Sequence, residues 1–505
     1  MTSNVLQNQN LDIDVTLVKM RRTADASGTT ITEGIDSSVP LELSSITSLN
    51  IIESVKQMGA TGTLVINNKF KILNQLNIVT NSSDDLYVDI TIIDKDLVSI
   101  GTVREEDTQL RVSALVTNIS TASSNVQENL VILQFEEAFV AKMKETRWEL
   151  FEQDGRGKVY ATISDVFNSF NKEKYYTLSP MHGESIMATQ ENNYAPSVTI
   201  PHIFHTSEGD SVFHIINECV KNTTYANGSD TEPGKVASCR MMNTMVKMGD
   251  KSVVGRKMNY VPMISNRHQE FITAVATGKG QGNFDDVFLE TFTTGPLASN
   301  TSSVANTSMY NKIEKVNVTR PDYAQLKKKI WGHYEIVDGG SMDPSVMSVE
   351  AVRFNELVDR FVNVELNNPE LGSSLPILNH YQANKFKVSR EMKNNPEMTK
   401  LTDVMVYNTI YNKVLKSFIT LNETIAFETV GRVYRKPGKF VMVAQDQVED
   451  DYKKLWYVNY VKHSITNGEY KTEMVGSRFF GQNTSQDLQA GNQDQQAANT
   501  IYGGK

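Results

Sequence analysis

Two stretches of the chain alternate apolar and polar side chains with a period of two, and the region between them does not. In the first, Leu86, Val88, Ile90 and Ile92 alternate with Tyr87, Asp89, Thr91 and Ile93. Leu110, Val112, Ala114 and Val116, and then Val131, Leu133 and Phe135, repeat the habit. Period two is the mark of half-buried strands, and the runs are separated by turn-forming pieces such as NSSDD and STASSN. The pattern predicts an antiparallel barrel or sandwich over 39–145. In the second stretch, Ile419, Leu421, Ile425 and Phe427 are spaced by Thr420, Asn422, Thr424 and Ala426. GRVYRKPGKFVMV then reads as a short strand, a Pro437-Gly438 turn and another strand. Asn467-Gly468 stands between two alternating runs, the strongest short hairpin signal there is. A second β domain is expected over 415–480.

Helical spacing shows twice in the intervening region, 146–414. Ser207 and Asp210 form a weak capping box ahead of Val212, Phe213, Ile215, Ile216, Cys219 and Val220, which predicts a helix near 208–221. After Pro344, the stripe Ala351, Phe354, Leu357, Val358 and Phe361 predicts a second near 345–362. The stretch 222–410 otherwise has no readable period, so a mixed α/β region is expected. Residues 1–38 are polar and rich in Thr, Ser and Asp, with one hydrophobic alternation, Leu11, Ile13, Val15 and Leu17, which predicts an extended arm with room for one strand. The Gln- and Asn-rich segment 481–505 has little to bury and is expected to be a disordered tail.

Composition narrows this picture only in places. With 505 residues, the chain has room for several cores and three or four domains are expected, because single cores seldom exceed about 250–300 residues. Hydrophobic residues at 39% and charged residues at 22% are those of a folding chain. A net charge of -9 argues against a dedicated nucleic-acid binder, which needs a basic stripe to displace counterions. Cys219 and Cys239 are too few for a disulfide framework and are expected as buried small residues made in a reducing cytoplasm. The N-terminus shows no signal-peptide pattern, and no run approaches about 18 apolar residues, so export and membrane spanning are not expected.

A search for catalytic motifs ends without one. His202 and His205 are three apart, but no third ligand stands at a supporting spacing, so loop packing is the expected role. GKGQGNF, Gly278 to Phe284, lacks the Lys and Ser/Thr that a phosphate-cradling loop requires, and Gly155 to Gly157 reads as a tight turn. The carboxylate pairs Asp84-Asp85, Glu105-Glu106 and Asp450-Asp451 fall in expected turns rather than across a cleft. Lys327-Lys328-Lys329 reads as a solvated face. Asn81, Asn118, Asn222, Asn227, Asn300, Asn306 and Asn317 begin N-x-S/T triplets, which without a secretory signal are ordinary loop composition. No catalytic residue, cofactor or metal is assigned.

Several blocks resemble one family. LELSSITSLNIIESVKQMGATGTLVINNKFKI, Leu41 to Ile72, resembles the opening of phage baseplate hub proteins: a strand, an irregular turn and a G-x-L-x-I strand. LWYVNYVKHSITNGEYKTEMVGSRFF, Leu455 to Phe480, resembles their closing hairpin, with V-x-x-V-x-H before the turn and Y-x-T after it. GRVYRKPGKFVMV is similar to the strand, Pro-Gly turn and strand that precede that hairpin, and PHIFHTSEGDSVFHIINECV to the hub helix. The blocks cover about half the chain and follow the family's order. The sequence departs from shorter hubs in its N-terminal arm, in 222–410 and in its tail.

The resemblance implies an α+β, predominantly β chain with two tail-tube-like antiparallel β-barrel domains, at 39–145 and 415–480, around the mixed region. It implies a non-enzymatic virion protein of the contractile tail baseplate: a homotrimer whose six barrels adapt a threefold spike to a sixfold tail tube. Tail spike and tail tube proteins are the implied partners, with wedge and tape-measure proteins as further candidates, and DNA would pass only transiently through the lumen. The alternatives are the hub of a bacterial contractile injection system and a cell-wall-degrading tail hydrolase.

Overall fold

The computed structural model describes chiefly residues 4–6, 10–24, 31–67, 72–76, 84–100, 104–125, 128–146, 235–248, 251–263, 283–293, 311–319, 424–444 and 455–478, with short pieces within 160–225 and 267–274. The N-terminal strands are β1 (Asn4–Leu6), β2 (Leu11–Ala24), β3 (Ile31–Pro40), β4 (Ile46–Ser54), β5 (Thr61–Asn67), β6 (Asp85–Asp94), β7 (Gln109–Asn125) and β8 (Glu128–Glu137), followed by helix α1 (Ala138–Glu145). Then come β9 (Lys235–Met248), β10 (Lys251–Pro262), β11 (Phe288–Thr293) and β12 (Ile313–Thr319). The C-terminal strands are β13 (Thr424–Val430), β14 (Phe440–Ala444), β15 (Leu455–Thr466) and β16 (Glu469–Arg478).

Fourteen of these strands form one sheet, ordered β1-β2-β6-β7-β8-β5-β4-β15-β16-β13-β12. Off that path β3 pairs with β2, β14 with β15, and β11 with β14. All its ladders are antiparallel except β11 with β14. The predominantly β fold class read from the alternation is the one observed. The two alternating regions are joined edge to edge: β4 pairs with β15 from Ser54 opposite Tyr460 to Ser48 opposite Thr466.

The alternating rows form the cores. Leu11, Ile13, Val15 and Leu17 of β2 meet Val88, Ile90 and Ile92 of β6, Leu110 and Val112 of β7, and Val131, Leu133 and Phe135 of β8. Val433, Ile465 and Tyr470 from the C-terminal region enter that same core. A second core gathers Phe292, Ile425, Phe427, Val441, Val443, Trp456, Val461 and Met474. On the other face of β2, Val18 and Met20 pack with Tyr87, Leu115 and the α1 residues Ala138 and Ala141. The segment expected as an arm with one strand therefore supplies three strands, and β2 is interior to the sheet, paired with β6 on one edge and with β1 and β3 on the other.

The Asn467-Gly468 turn forms as its sequence predicts, with φ of 52° and 78° joining β15 to β16. GRVY differs from expectation. Residues 431–439 form a loop instead of a short strand, and that loop is largely buried, because its backbone and its two arginines find partners off the ladder. In the region without a readable period, β9 and β10 make a long hairpin, Ala237 opposite Pro262 through Met248 opposite Lys251. Its buried row of Cys239, Met241, Val254 and Met258 is interrupted by Asn243, and Ser238 and Asn259 are buried on its other face, which hides the alternation from hydropathy. Of the expected helix near 208–221, residues 212–214 and 216–217 are described and helical, with Val212 and Ile216 buried. The helix near 345–362 and the tail 481–505 lie outside the described residues. No helix among the described residues is long and apolar enough to cross a membrane.

Candidate functional site

The chemistry-bearing side chains of the described residues concentrate where the loop 431–439 meets the sheet. The loop leaves β13 and returns to β14, and its backbone is anchored at both ends: Gly431 N–H donates to Tyr470 O at 2.8 Å and Gly438 N–H to Val458 O at 2.7 Å. Gly438 has φ of 88°, and a Cβ there would strike the Arg240 guanidinium, so both its conformation and its neighbour require glycine.

Three arginines are buried at this junction, each matched to carboxylates. Arg432 Nη1 donates to both oxygens of Asp94, at 2.9 and 2.7 Å. Arg435, fully buried, donates from Nε to Glu290 Oε1 at 2.5 Å and also to the Val430 carbonyl, and its guanidinium lies 5.1 Å from the Phe292 ring centre. Arg256, from β10, donates to Glu137 Oε1 at 2.9 Å and Oε2 at 2.8 Å, to Glu53 Oε1 at 2.8 Å and to Asn243 Oδ1 at 3.0 Å. Lys436 adds a pair to Asp107 at 2.7 Å. Burial alone would favour a neutral arginine, yet the adjoining carboxylates hold Arg256 and Arg435 above their usual range. For Glu53, burial acts upward but Arg256 and His463 outweigh it, so its carboxyl sits below the usual range.

His463 lies beneath this loop at 1% exposure. Its Nε2 is 3.1 Å from the Arg435 carbonyl, which can only accept, so that nitrogen carries the proton. Nδ1 then accepts from the Tyr470 hydroxyl at 2.7 Å. Burial pushes the His463 pKa down to about 4 and raises that of the Tyr470 phenol. Tyr434 donates to Glu290 at 2.8 Å and is likewise pushed up by burial. These groups are enclosed and already paired, an arrangement that fixes structure rather than presenting a nucleophile or base to substrate.

Beside the junction opens a cleft of ≈ 240 Å³ between the β4–β5 turn, the turn Glu105–Asp107, the β9–β10 hairpin and the loop 431–439. Its walls carry Arg104, Arg240, Arg256, Lys436 and Lys439 together with Glu53, Glu106, Asp107 and Asp286. Among the described residues, no group of three or more His, Cys, Asp and Glu side chains gathers as metal ligands.

Of the residues singled out in the sequence, Glu105 and Glu106 stand in that turn, at the cleft's edge. Asp84 and Asp85 pair with Lys19 at 3.1 Å and Lys142 at 2.9 Å on the far side of β6. Cys239 is buried on β9. Asn118 and Asn317 lie in strands. Phe284 stacks under Arg267, with the guanidinium 4.5 Å from its ring centre. His202, His205, Gly155 to Gly157, Gly278 to Gln281, Lys327 to Lys329, Asp450-Asp451 and Cys219 lie outside the described residues.

No family model matches the chain, and no curated protein matches it. Solved structures do. A tail protein from Neisseria meningitidis aligns with TM-score 0.39 and 10% identity over 91% of this chain and 96% of its own. A prophage 43 kDa tail protein from Shewanella oneidensis aligns with TM-score 0.38 and 8% identity over 92% and 98%. An E. coli component of the type VI secretion system, described as similar to T4 bacteriophage tail proteins, aligns with TM-score 0.35 and 8% identity over 87% and 75%.

Proposed function

We propose that this chain is a structural protein of a contractile phage tail, the central baseplate hub, acting without turnover as a homotrimer between the tail tube and the spike. One observation carries the reading. The two segments that resemble the family's opening and closing blocks, 414 residues apart at Asn50 and Ser464, are hydrogen-bonded neighbours, with Ser464 Oγ donating to Asn50 Oδ1 at 2.8 Å inside the β4–β15 ladder. A resemblance scattered along a chain gains weight when its two ends form one surface. The enclosed, fully paired state of the junction's arginines and histidine supports a load-carrying role over a catalytic one.

In this reading each subunit contributes two barrel-like units, three subunits close a ring, and the genome passes through it. The β12 edge at one limit of the sheet order, and the β1 and β3 strands that flank β2 at the other, are the natural places for subunits to pair. The test is the native mass of the full chain at micromolar concentration, with and without co-expressed spike and tube proteins. A species of three times 56.6 kDa, alone or on the spike, is expected. A chain that stays monomeric with both partners, or that degrades peptidoglycan, overturns the reading.

A further inference from the structure

The charges around the cleft do not cancel. Of its four carboxylates, Glu53 is committed to Arg256 at 2.8 Å, Asp107 to Lys436 at 2.7 Å and Asp286 to Arg267 at 3.3 Å. That uses Arg256 and Lys436 on the cationic side and leaves Arg104, Arg240 and Lys439, none of which forms an ion pair among the described residues, against Glu106 alone. Arg240 spends Nη1 on the Pro437 carbonyl at 2.7 Å, while its Nε is buried without a partner. Lys439 donates to the Asp285 carbonyl at 2.8 Å. Burial, with Lys436 and Arg104 close by, holds its ammonium below the usual range, the condition an entering anion would relieve.

The same cleft holds one orphan of the opposite kind. Glu53 is 7% exposed, and its Oε2 is buried with no hydrogen-bond donor, because Arg256 is spent on Oε1 and on Glu137. The orphaned Glu53 oxygen calls for a donor, and the orphaned Arg240 Nε calls for an acceptor. A group with several anionic oxygens and one O–H supplies both.

We propose that this cleft binds a monoprotonated phosphoryl group, its anionic oxygens on Arg240, Lys439 and Arg104 and its single O–H donated to Glu53 Oε2. Arg240 is held flat against Gly438, whose missing Cβ lets the guanidinium lie there. Sulfate has the shape and charge but no proton to donate at neutral pH, so the site discriminates between the two ions. A phosphodiester also lacks that proton, so the nucleic-acid backbone is not the ligand. This inference does not depend on the tail assignment.

The test is calorimetric titration of the full chain at pH 7 and constant ionic strength with inorganic phosphate, sulfate and glycerol 3-phosphate. Saturable phosphate binding is expected, at least tenfold tighter than sulfate. Lys439→Met, at the cleft's half-buried rim, and Arg240→Gln should each weaken it tenfold or more while far-UV circular dichroism is unchanged. Glycerol 3-phosphate binding as phosphate does would assign a phosphomonoester, and phosphate alone the free ion. Equal affinity for phosphate and sulfate, no saturable binding, or an unchanged affinity in Lys439→Met overturns the proposal, and that readout stands whether or not Arg240→Gln folds.

Discussion

Asp94 and Arg432, 338 residues apart in sequence, meet in a buried ion pair in which one arginine nitrogen serves both carboxylate oxygens. Asp94 has no exposed surface, and its Oδ1 also accepts from the Leu97 amide at 3.3 Å. The pair ties the end of β6 to the loop 431–439, and so the N-terminal half of the sheet to the C-terminal half.

Removing one partner of that pair leaves a buried charge uncompensated. Asp94→Ala or Arg432→Met should each destabilise the chain by about 3–5 kcal/mol. The double variant Asp94→Leu with Arg432→Met should lose less than either single change, since no charge is then stranded. Thermal unfolding of the three variants checks this, and additive losses in the double variant would show that the residues do not act as a pair.

The carboxylates of this junction were in fact legible as exceptions to alternation. Leu86, Val88, Ile90 and Ile92 point inward, and the next inward position of β6 is Asp94; Val131, Leu133 and Phe135 lead in the same way to Glu137, and Leu49 and Ile51 to Glu53. Each strand's apolar row ends on an acid that the fold buries, as the burial pattern of β4 shows. A charge in phase with a core row predicts a buried partner. Nothing local says which, because Arg256, Arg432 and Arg435 lie 119 to 338 residues away in hydrogen-bonded separation from those acids or from Glu290. The strands themselves follow from period two, whereas the β9–β10 hairpin escapes notice because polar Asn243 interrupts its apolar row and polar Ser238 and Asn259 are buried on its other face.

Turn chemistry sets two further expectations. Gly468 holds φ of 78° in the β15–β16 turn, and Gly468→Val should cost about 1–2 kcal/mol, the penalty of a left-handed conformation for a side chain. Gly438→Ala should cost more, since it adds displacement of Arg240 to the same strain. Denaturant midpoints decide, and a smaller loss at 438 than at 468 would contradict the role given to Arg240.

The Tyr470 hydroxyl contributes one buried hydrogen bond to His463. Tyr470→Phe keeps the ring stacked 5.9 Å from the imidazole but leaves Nδ1 without a donor, at a cost of about 1–3 kcal/mol. A loss below about 0.5 kcal/mol would mean that His463 recruits another donor.

His463 makes the fold acid-sensitive, and the sign follows from its surroundings. Burial against Tyr470 of β16, with the positive Arg435 and Lys436 of the loop beside it, disfavours a second proton, although Glu53 opposes their effect. Burial holds its pKa at about 4, below the 6.5 of an exposed imidazole. The unfolded chain therefore takes up a proton first as pH falls, so stability declines from about pH 6.5 and levels off below pH 4, by about 3 kcal/mol in total. Glu53, whose carboxyl is held low, loses its contribution only below its unfolded value of 4.5, so the interval between pH 6.5 and 5 separates His463 from it, and the difference between wild type and His463→Gln there isolates this histidine. Wild type should lose thermal stability across that interval, and His463→Gln should start lower but lose less through it. Equal losses in the two proteins there would mean that the imidazole is not held neutral by the fold.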